Sequence, residues 1–237
     1  MTPSRAALVA GGSSGIGLAI ARTLLEEGHA LTVVGRRAAK VEAATAELGP
    51  DASGLAADLS DEGEVRRALD AHRERFGRLD ALVVSLGYGG PRAPLEELDT
   101  ERLDRVLAVD LRAALLVTRA CIPLLRESGA EHGKALVVHV SSVAAVLGVD
   151  SIPVYSAAKG GTAAFGRALQ RDLADAGVQV TTLLPGYVET PMGEWIQIPR
   201  EELLRPDDLA EGVRLLLRTS PACRIPELRF ERRGGPV

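Results

Sequence analysis

This sequence is short of several things, and each shortage closes off a class of function. Only two of its 237 residues are cysteine, Cys121 and Cys223, about a hundred positions apart. Neither stands in a metal-ligand spacing, and the four histidines (His29, His72, His132, His139) are scattered. No metal site or disulfide framework is therefore expected, and both thiols read as reduced, structural residues of a cytoplasmic protein. Aromatic side chains make up 3% of the chain, too few for platforms that stack nucleic-acid bases. The formal net charge is −4 and there is no basic block, so nucleic-acid binding has no electrostatic footprint. No apolar run approaches the ~20 residues that a membrane span needs. The N-terminal "MTPSRAALVAGG" stops its apolar run at glycines after five residues, too soon for a signal-peptide core.

What is present is ordinary in bulk: 46% hydrophobic and 25% charged residues, the balance of a soluble globular chain. The order is more informative. Short apolar runs alternate with amphipathic helical patterns along the whole length. The runs are "AALVAG" (Ala6–Gly11), "ALTVVG" (Ala30–Gly35), "GLAADL" (Gly54–Leu59), "ALVVSLG" (Ala81–Gly87), "ALVVHVSS" (Ala135–Ser142), "VQVTTLLP" (Val178–Pro185) and a weaker "ELRFER" (Glu227–Arg232). Continuous apolar strands separated by helices predict a parallel sheet covered on both faces. Between them, Ile16, Ile20 and Leu24 recur at helical spacing up to Gly28, and Ala38–Leu48 is a second helix. Ser60 is placed to cap a third, with Asp61 and Glu62 in its first turn and Gly77 at its end. A long helix from about Thr100 to Arg126 is expected to bend near Pro123. Helices are also expected at about 153–176 and from Pro206 to about Arg218. With no linker, repeat or low-complexity tract, residues 1–237 read as one α/β domain with helices on both faces of the sheet.

Two ends of this pattern carry chemistry. "AGGSSGIG" (Ala10–Gly17) joins the first strand to the first helix, with glycines at Gly11, Gly15 and Gly17. Glycine there allows a tight turn and close backbone approach to a pyrophosphate, and the helix start offers free N–H groups to it. A glycine cluster alone is weak; strand, turn and helix together make it a nucleotide site. The second strand ends in Gly35-Arg36-Arg37, where an acidic residue would bind a ribose 2′-hydroxyl. No carboxylate stands there to repel a 2′-phosphate, and a guanidinium can pair with one, so NADP(H) is expected over NAD(H). The plainer alternative makes Arg36 and Arg37 solvated loop charges. Asp58 can accept from an adenine amine, help start the next helix, or both.

At the other end, Ser142 precedes Tyr155 by thirteen residues, and Lys159 follows Tyr155 by one helical turn on the same face. A phenol is mostly protonated at neutral pH, and a nearby ammonium lowers its pKa toward the working range. A serine hydroxyl can hold a substrate oxygen. Together the three suit proton transfer at a carbonyl or alcohol oxygen while a nicotinamide exchanges hydride.

With these motifs in this order, the sequence resembles the short-chain dehydrogenase/reductase family. "GGSSGIG" looks like the family's glycine turn, with Ala10 in place of the usual threonine, and "ADL" with Asp58 looks like its adenine contact. Ser142, Tyr155 and Lys159 match its catalytic serine, tyrosine and lysine. "PGYVETPM" (Pro185–Met192) looks like the segment whose Thr190 side chain and Val188 backbone would hold the nicotinamide carboxamide. The resemblance implies a doubly wound Rossmann-like fold of about seven parallel strands, Tyr155 as acid/base, and Lys159 lowering its pKa while binding the nicotinamide ribose. It extends the cofactor set to Ser13, Ser14, Ile16, Leu59, Ser85, Gly87, Pro185 and Gly186. It also implies a homodimer or homotetramer, built through the tyrosine-bearing helix and the long helix before it.

The sequence departs from the family in three places. The NNAG segment reads Val84-Ser85-Leu86-Gly87. The family's fourth catalytic residue, an asparagine, is Asp110 here, and a carboxylate there is expected to retain but alter the acid/base behaviour. The C-terminal "CRIPELRFERRGGPV" lacks the threonine–glycine turn before the last strand, which leaves the implied subunit contacts open. Two loops should wall the substrate, Gly87–Leu95 with Arg92, and the stretch from Gly186 to Arg205 with Tyr187, Met192, Trp195, Ile196 and Ile198. Those apolar residues suit an apolar carbonyl substrate, 3-oxoacyl-type among the candidates, or equally pack a short lid. Loss of catalysis, leaving a nucleotide-binding scaffold, and an NAD-linked alcohol dehydrogenase are the alternatives.

Overall fold

The computed structural model describes residues 5–193 and 197–235. Seven parallel strands form one sheet in the order β3-β2-β1-β4-β5-β6-β7. They are β1 (Ala6–Ala10), β2 (Ala30–Gly35), β3 (Ala52–Ala56), β4 (Ala81–Val84), β5 (Ala135–Val140), β6 (Val178–Pro185) and β7 (Glu227–Phe230). Every residue of β1, β2, β4, β5 and β6 is buried, as an unbroken apolar run covered on both faces requires.

Side chains alternate across each strand, so one strand feeds two cores. Leu8 and Ala10 of β1 join Val34, Leu82, Val84 and Val137 on one face; Ala7 and Val9 join Leu31, Val33, Leu136 and Leu183 on the other. The first face is covered by α3 (Glu62–Phe76), α5 (Ala113–His132) and α7 (Pro153–Asp172), the second by α1 (Gly15–Glu26) and α8 (Pro206–Arg218). Each fully buried leucine, such as Leu82 or Leu209, contributes on the order of 2 kcal/mol from apolar burial. Helix α2 (Ala38–Leu48) packs on β2 and β3, and Gly54 is what allows it, since a Cβ there would lie 2.6 Å from Val41. The chain moves outward from β1 to β3, then returns to set β4 on the other side of β1. That reversal opens a crevice above the C-terminal ends of β1 and β4.

Several local expectations shift. The third strand, at Ala52–Ala56, starts two residues and ends three residues earlier than expected, which leaves Asp58 past its C-terminal end. The cap of α3 is Asp61, whose carboxylate accepts from the Glu64 N–H at 2.9 Å; Ser60 instead turns its hydroxyl to Asp58. The long helix is interrupted at a π-turn, Ala108–Arg112, between α4 (Thr100–Leu107) and α5. Its irregularity is therefore at 108–112, and α5 runs on through an exposed Pro123. Cys121 is buried as expected, but Cys223 is exposed, because it sits in the loop between α8 and β7 with no element covering it.

Candidate active site

The glycine turn is held by backbone packed against backbone. Gly11 has φ +83°, and a Cβ on it would fall 2.2 Å from the Ser85 carbonyl oxygen. A Cβ on Gly17 would fall 2.2 Å from the Gly11 carbonyl oxygen. A Cβ on Gly15, at φ +53°, would fall 3.1 Å from the Thr190 methyl group, so the turn lies close against the segment after β6. Helix α1 then starts with Ser14 as its cap residue, whose side chain makes no capping hydrogen bond. A cradle of this kind, with glycine backbone open to close approach and leading to the N–H groups at the start of α1, fits a dinucleotide pyrophosphate.

Along the crevice, a cleft of about 200 Å³ is lined by Gly11, Ser13 and Ser14 from the turn and by Arg36 and Arg37 after β2. Asp58 and Leu59 after β3, with Ser85 and Gly87 after β4, complete it. Arg36 and Arg37 are both exposed at its rim. The Ser60 hydroxyl donates to Asp58 at 2.6 Å and the Ser60 N–H at 3.0 Å. These bonds, with the Arg36 charge nearby, hold the Asp58 carboxyl below the usual carboxylate range.

A second cavity, of about 400 Å³, continues from the first, and Ser85, Leu86, Gly87 and Tyr88 line both. Ser142, Tyr155 and Lys159 converge on it, as do Ile16, Pro185, Gly186, Val188 and Thr190. Ser142 stands just past β5; its hydroxyl accepts from the Ala144 N–H at 3.1 Å and lies 3.5 Å from the Pro185 carbonyl. Tyr155 and Lys159 project from α7, with the lysine Nζ 5.6 Å from the tyrosine ring centre. Burial pushes the Tyr155 phenol above its ordinary pKa; Lys159 draws it down, Asp110 pushes it up, and the Ser142 hydroxyl draws it down. Lys159 is itself buried, donating to the carbonyls of Leu86 at 2.8 Å and Val140 at 3.3 Å. Behind it the π-turn carries Asp110 inward, 3.4 Å from Nζ. Gly15, Gly17 and Asp110 line neither cavity: the two glycines shape the turn and Asp110 backs the lysine.

The substrate walls differ in part from expectation. Tyr187 and Met192 do line the larger cavity, and Gly87 through Gly90 with Arg92 face them. Ile198 lies instead in a separate shallow groove with Glu189, Arg200 and Leu203. Trp195 and Ile196 fall outside the described residues. Sequence reasoning missed a third wall, made of Val143, Ala144, Val149 and Ile152. Its signal was there, an apolar "VAAVLGV" filling the interval between Ser142 and Tyr155. This wall and the Gly87–Leu95 loop are strapped together across the mouth. The Ala93 N–H donates to the Ser151 carbonyl at 2.9 Å and Arg92 to the Asp150 carbonyl at 3.4 Å, with Ser151 at φ +63°.

The family described as "short chain dehydrogenase" matches residues 5–200. The chain belongs to that family. Cis-4-hydroxycyclohexanecarboxylate dehydrogenase of Sinomonas cyclohexanicum is 34% identical over 224 residues, covering 90% of this chain and 88% of that one. The crystal structure of a 3-ketoacyl-(acyl-carrier-protein) reductase from Brucella melitensis, complexed with NADH, superposes with a TM-score of 0.88. It is 31% identical, over 97% of this chain and 98% of that one. A variant of actinorhodin polyketide ketoreductase, with NADPH, gives a TM-score of 0.85 at 30% identity, over 96% and 95% of the two chains. The fold is thus the Rossmann-like α/β fold of short-chain dehydrogenases, a family of nicotinamide-dependent oxidoreductases that act on alcohol and carbonyl groups. Among the described residues, no helix is long and apolar enough to cross a membrane.

Proposed function

We propose that this chain is an NADPH-dependent reductase that converts a ketone or aldehyde to an alcohol. The observation that carries the reading is the convergence of Ser142, Tyr155 and Lys159 on a cavity continuous with the glycine-turn cleft. The cofactor would lie on Gly11, Ser13, Ser14 and the start of α1, with Thr190 and Val188 at its nicotinamide end. When bound, it supplies the hydride. Ser142 holds the carbonyl oxygen. Tyr155 gives that oxygen its proton as negative charge develops there, and Lys159 stabilises the phenolate that remains. Arg36 and Arg37, with no carboxylate at the end of β2, support the choice of NADPH: a 2′-phosphate finds guanidinium donors and no like charge. Val143, Val149, Ile152 and Met192 make the larger cavity apolar, which suits a cyclic or acyl carbonyl compound with an apolar body. Fluorescence titration with NADPH and NADH tests the cofactor choice, with tighter NADPH binding expected and NADH preference refuting it. A carbonyl screen with Tyr155→Phe tests the chemistry: the variant should bind NADPH and lose at least ~100-fold in turnover. Binding without turnover by the unaltered chain across the screen would favour a nucleotide-binding scaffold.

A further inference from the structure

Lys159 and Asp110 form an ion pair whose side chains are only 4% and 0% exposed, and the carboxylate does more than face the lysine. It also accepts from the Tyr88 N–H at 3.0 Å and the Gly89 N–H at 3.3 Å, both on the loop that walls the substrate cavity. Gly87 makes room, since a Cβ there would lie 3.3 Å from Asp110 Oδ1. The backbone carbonyl of Asp110 is engaged separately, accepting from the Thr162 hydroxyl at 3.1 Å. Every recorded partner of the carboxylate is thus a donor: two backbone N–H groups and an ammonium. An asparagine here would turn its NH2 group toward one of them, with nothing to accept it.

We propose that Asp110 is a positioning residue and the built-in counter-ion of Lys159, pinning the substrate loop to the lysine and weakening the lysine's pull on the Tyr155 proton. The tyrosine therefore keeps its proton, and stays ready to donate it to a carbonyl, to higher pH than it would with asparagine at this place. This rests on the reductase reading above. Among the described residues, the titratable and charged groups facing the pair are these. Tyr155 shares α7 with the lysine, and Asp110 faces both from the π-turn. His139 on β5 neighbours the lysine but stays neutral, because burial pushes its pKa down to about 4. Arg105 of α4 stacks on the Tyr88 ring, 5.2 Å from its centre.

The test is an ultraviolet titration of tyrosinate in the cofactor-free protein, with Tyr155 isolated by subtracting Tyr155→Phe, in the presence and absence of Asp110→Asn. Removing the counter-ion should lower the Tyr155 titration by about one pH unit or more, the usual effect of one uncompensated neighbouring charge. The limb of kcat/KM for alcohol oxidation should move down with it. Coincident titrations in the two backgrounds overturn the proposal. If Asp110→Asn fails to fold, the unaltered protein decides: Tyr155 should titrate at or above the ordinary value of about 10, and titration below it overturns the proposal. Full turnover by Tyr155→Phe would sink the reductase mechanism, yet the absorbance titration would still judge Asp110 separately.

Discussion

Replacing Gly17 with alanine adds one methyl group where two pieces of backbone already touch. That Cβ would sit 2.2 Å from the Gly11 carbonyl oxygen, 2.9 Å from its carbon and 3.1 Å from Gly12 Cα. Carbon and oxygen ordinarily approach no closer than about 3.3 Å, so the first turn of α1 must back away by about 1 Å. None of the three atoms belongs to a side chain that can rotate aside. Overpacking of this kind costs about 1–3 kcal/mol, offset in part by the better helix propensity of alanine. For a chain of this size each kcal/mol is about 2–4 °C in melting temperature, so a fall of about 2–10 °C is expected. The same displacement moves the N–H groups at the start of α1 away from where the pyrophosphate is proposed to lie, and NADPH affinity should fall at least ~10-fold. Gly28→Ala is the control. Gly28 lies just past the other end of α1 at φ +84°, with nothing within 4 Å of its would-be Cβ. Alanine there costs about 1–2 kcal/mol of backbone strain and touches nothing. Melting curves and fluorescence titrations on both variants separate the effects. If Gly17→Ala binds NADPH within twofold of the unaltered chain, or Gly28→Ala weakens binding equally, the cradle argument is refuted.

Stability should also fall as the solution is acidified from pH 7. His72 and His139 are buried and neutral, each with its pKa pushed down to about 4 by burial, so below about 6.5 the unfolded chain takes up protons that the folded chain refuses. The loss is about 1.4 kcal/mol per pH unit for each histidine, reaching roughly 3 kcal/mol each near pH 4, and urea midpoints at stepped pH would read it. A flat midpoint from pH 7 to 5 would contradict it. A thiol-reactive dye should label Cys223 alone in the native protein and both cysteines in denaturant. Cys121 is buried, with its thiol pushed up to about 12, and rapid native labelling of two thiols would show that packing to be wrong.

The sheet was readable because its strands are written as unbroken apolar runs, and burial on both faces leaves little else such runs can be. The Ser142–Tyr155–Lys159 set was readable because its spacing is local, one strand end and one helix turn. The π-turn was not, since a single widened turn leaves the apolar periodicity of a helix almost intact. Position 110 was thus visible as an aspartate, but its partners were not: two of them, Tyr88 and Gly89, contribute backbone N–H groups, which carry no residue signature. The cap of α3 was misplaced by one residue because Ser60 and Asp61 are both good caps, and only the structure shows that Ser60 is committed to Asp58. The wall from Val143 to Ile152 was overlooked because its apolar residues look like core until the short helix α6 (Ala144–Leu147) places them beside the cavity.

The floor shared by the two cavities constrains how this chain can diversify. Ser85, Leu86, Gly87 and Tyr88 line both cavities at once, and the Leu86 carbonyl also holds Lys159. On the function proposed above, a change there would alter both binding partners together, so selection for a new substrate would be penalised through the cofactor. Val149, Ile152 and Met192 line only the larger cavity. Inherited variation in what the enzyme accepts should therefore accumulate at those three positions, while the floor drifts little.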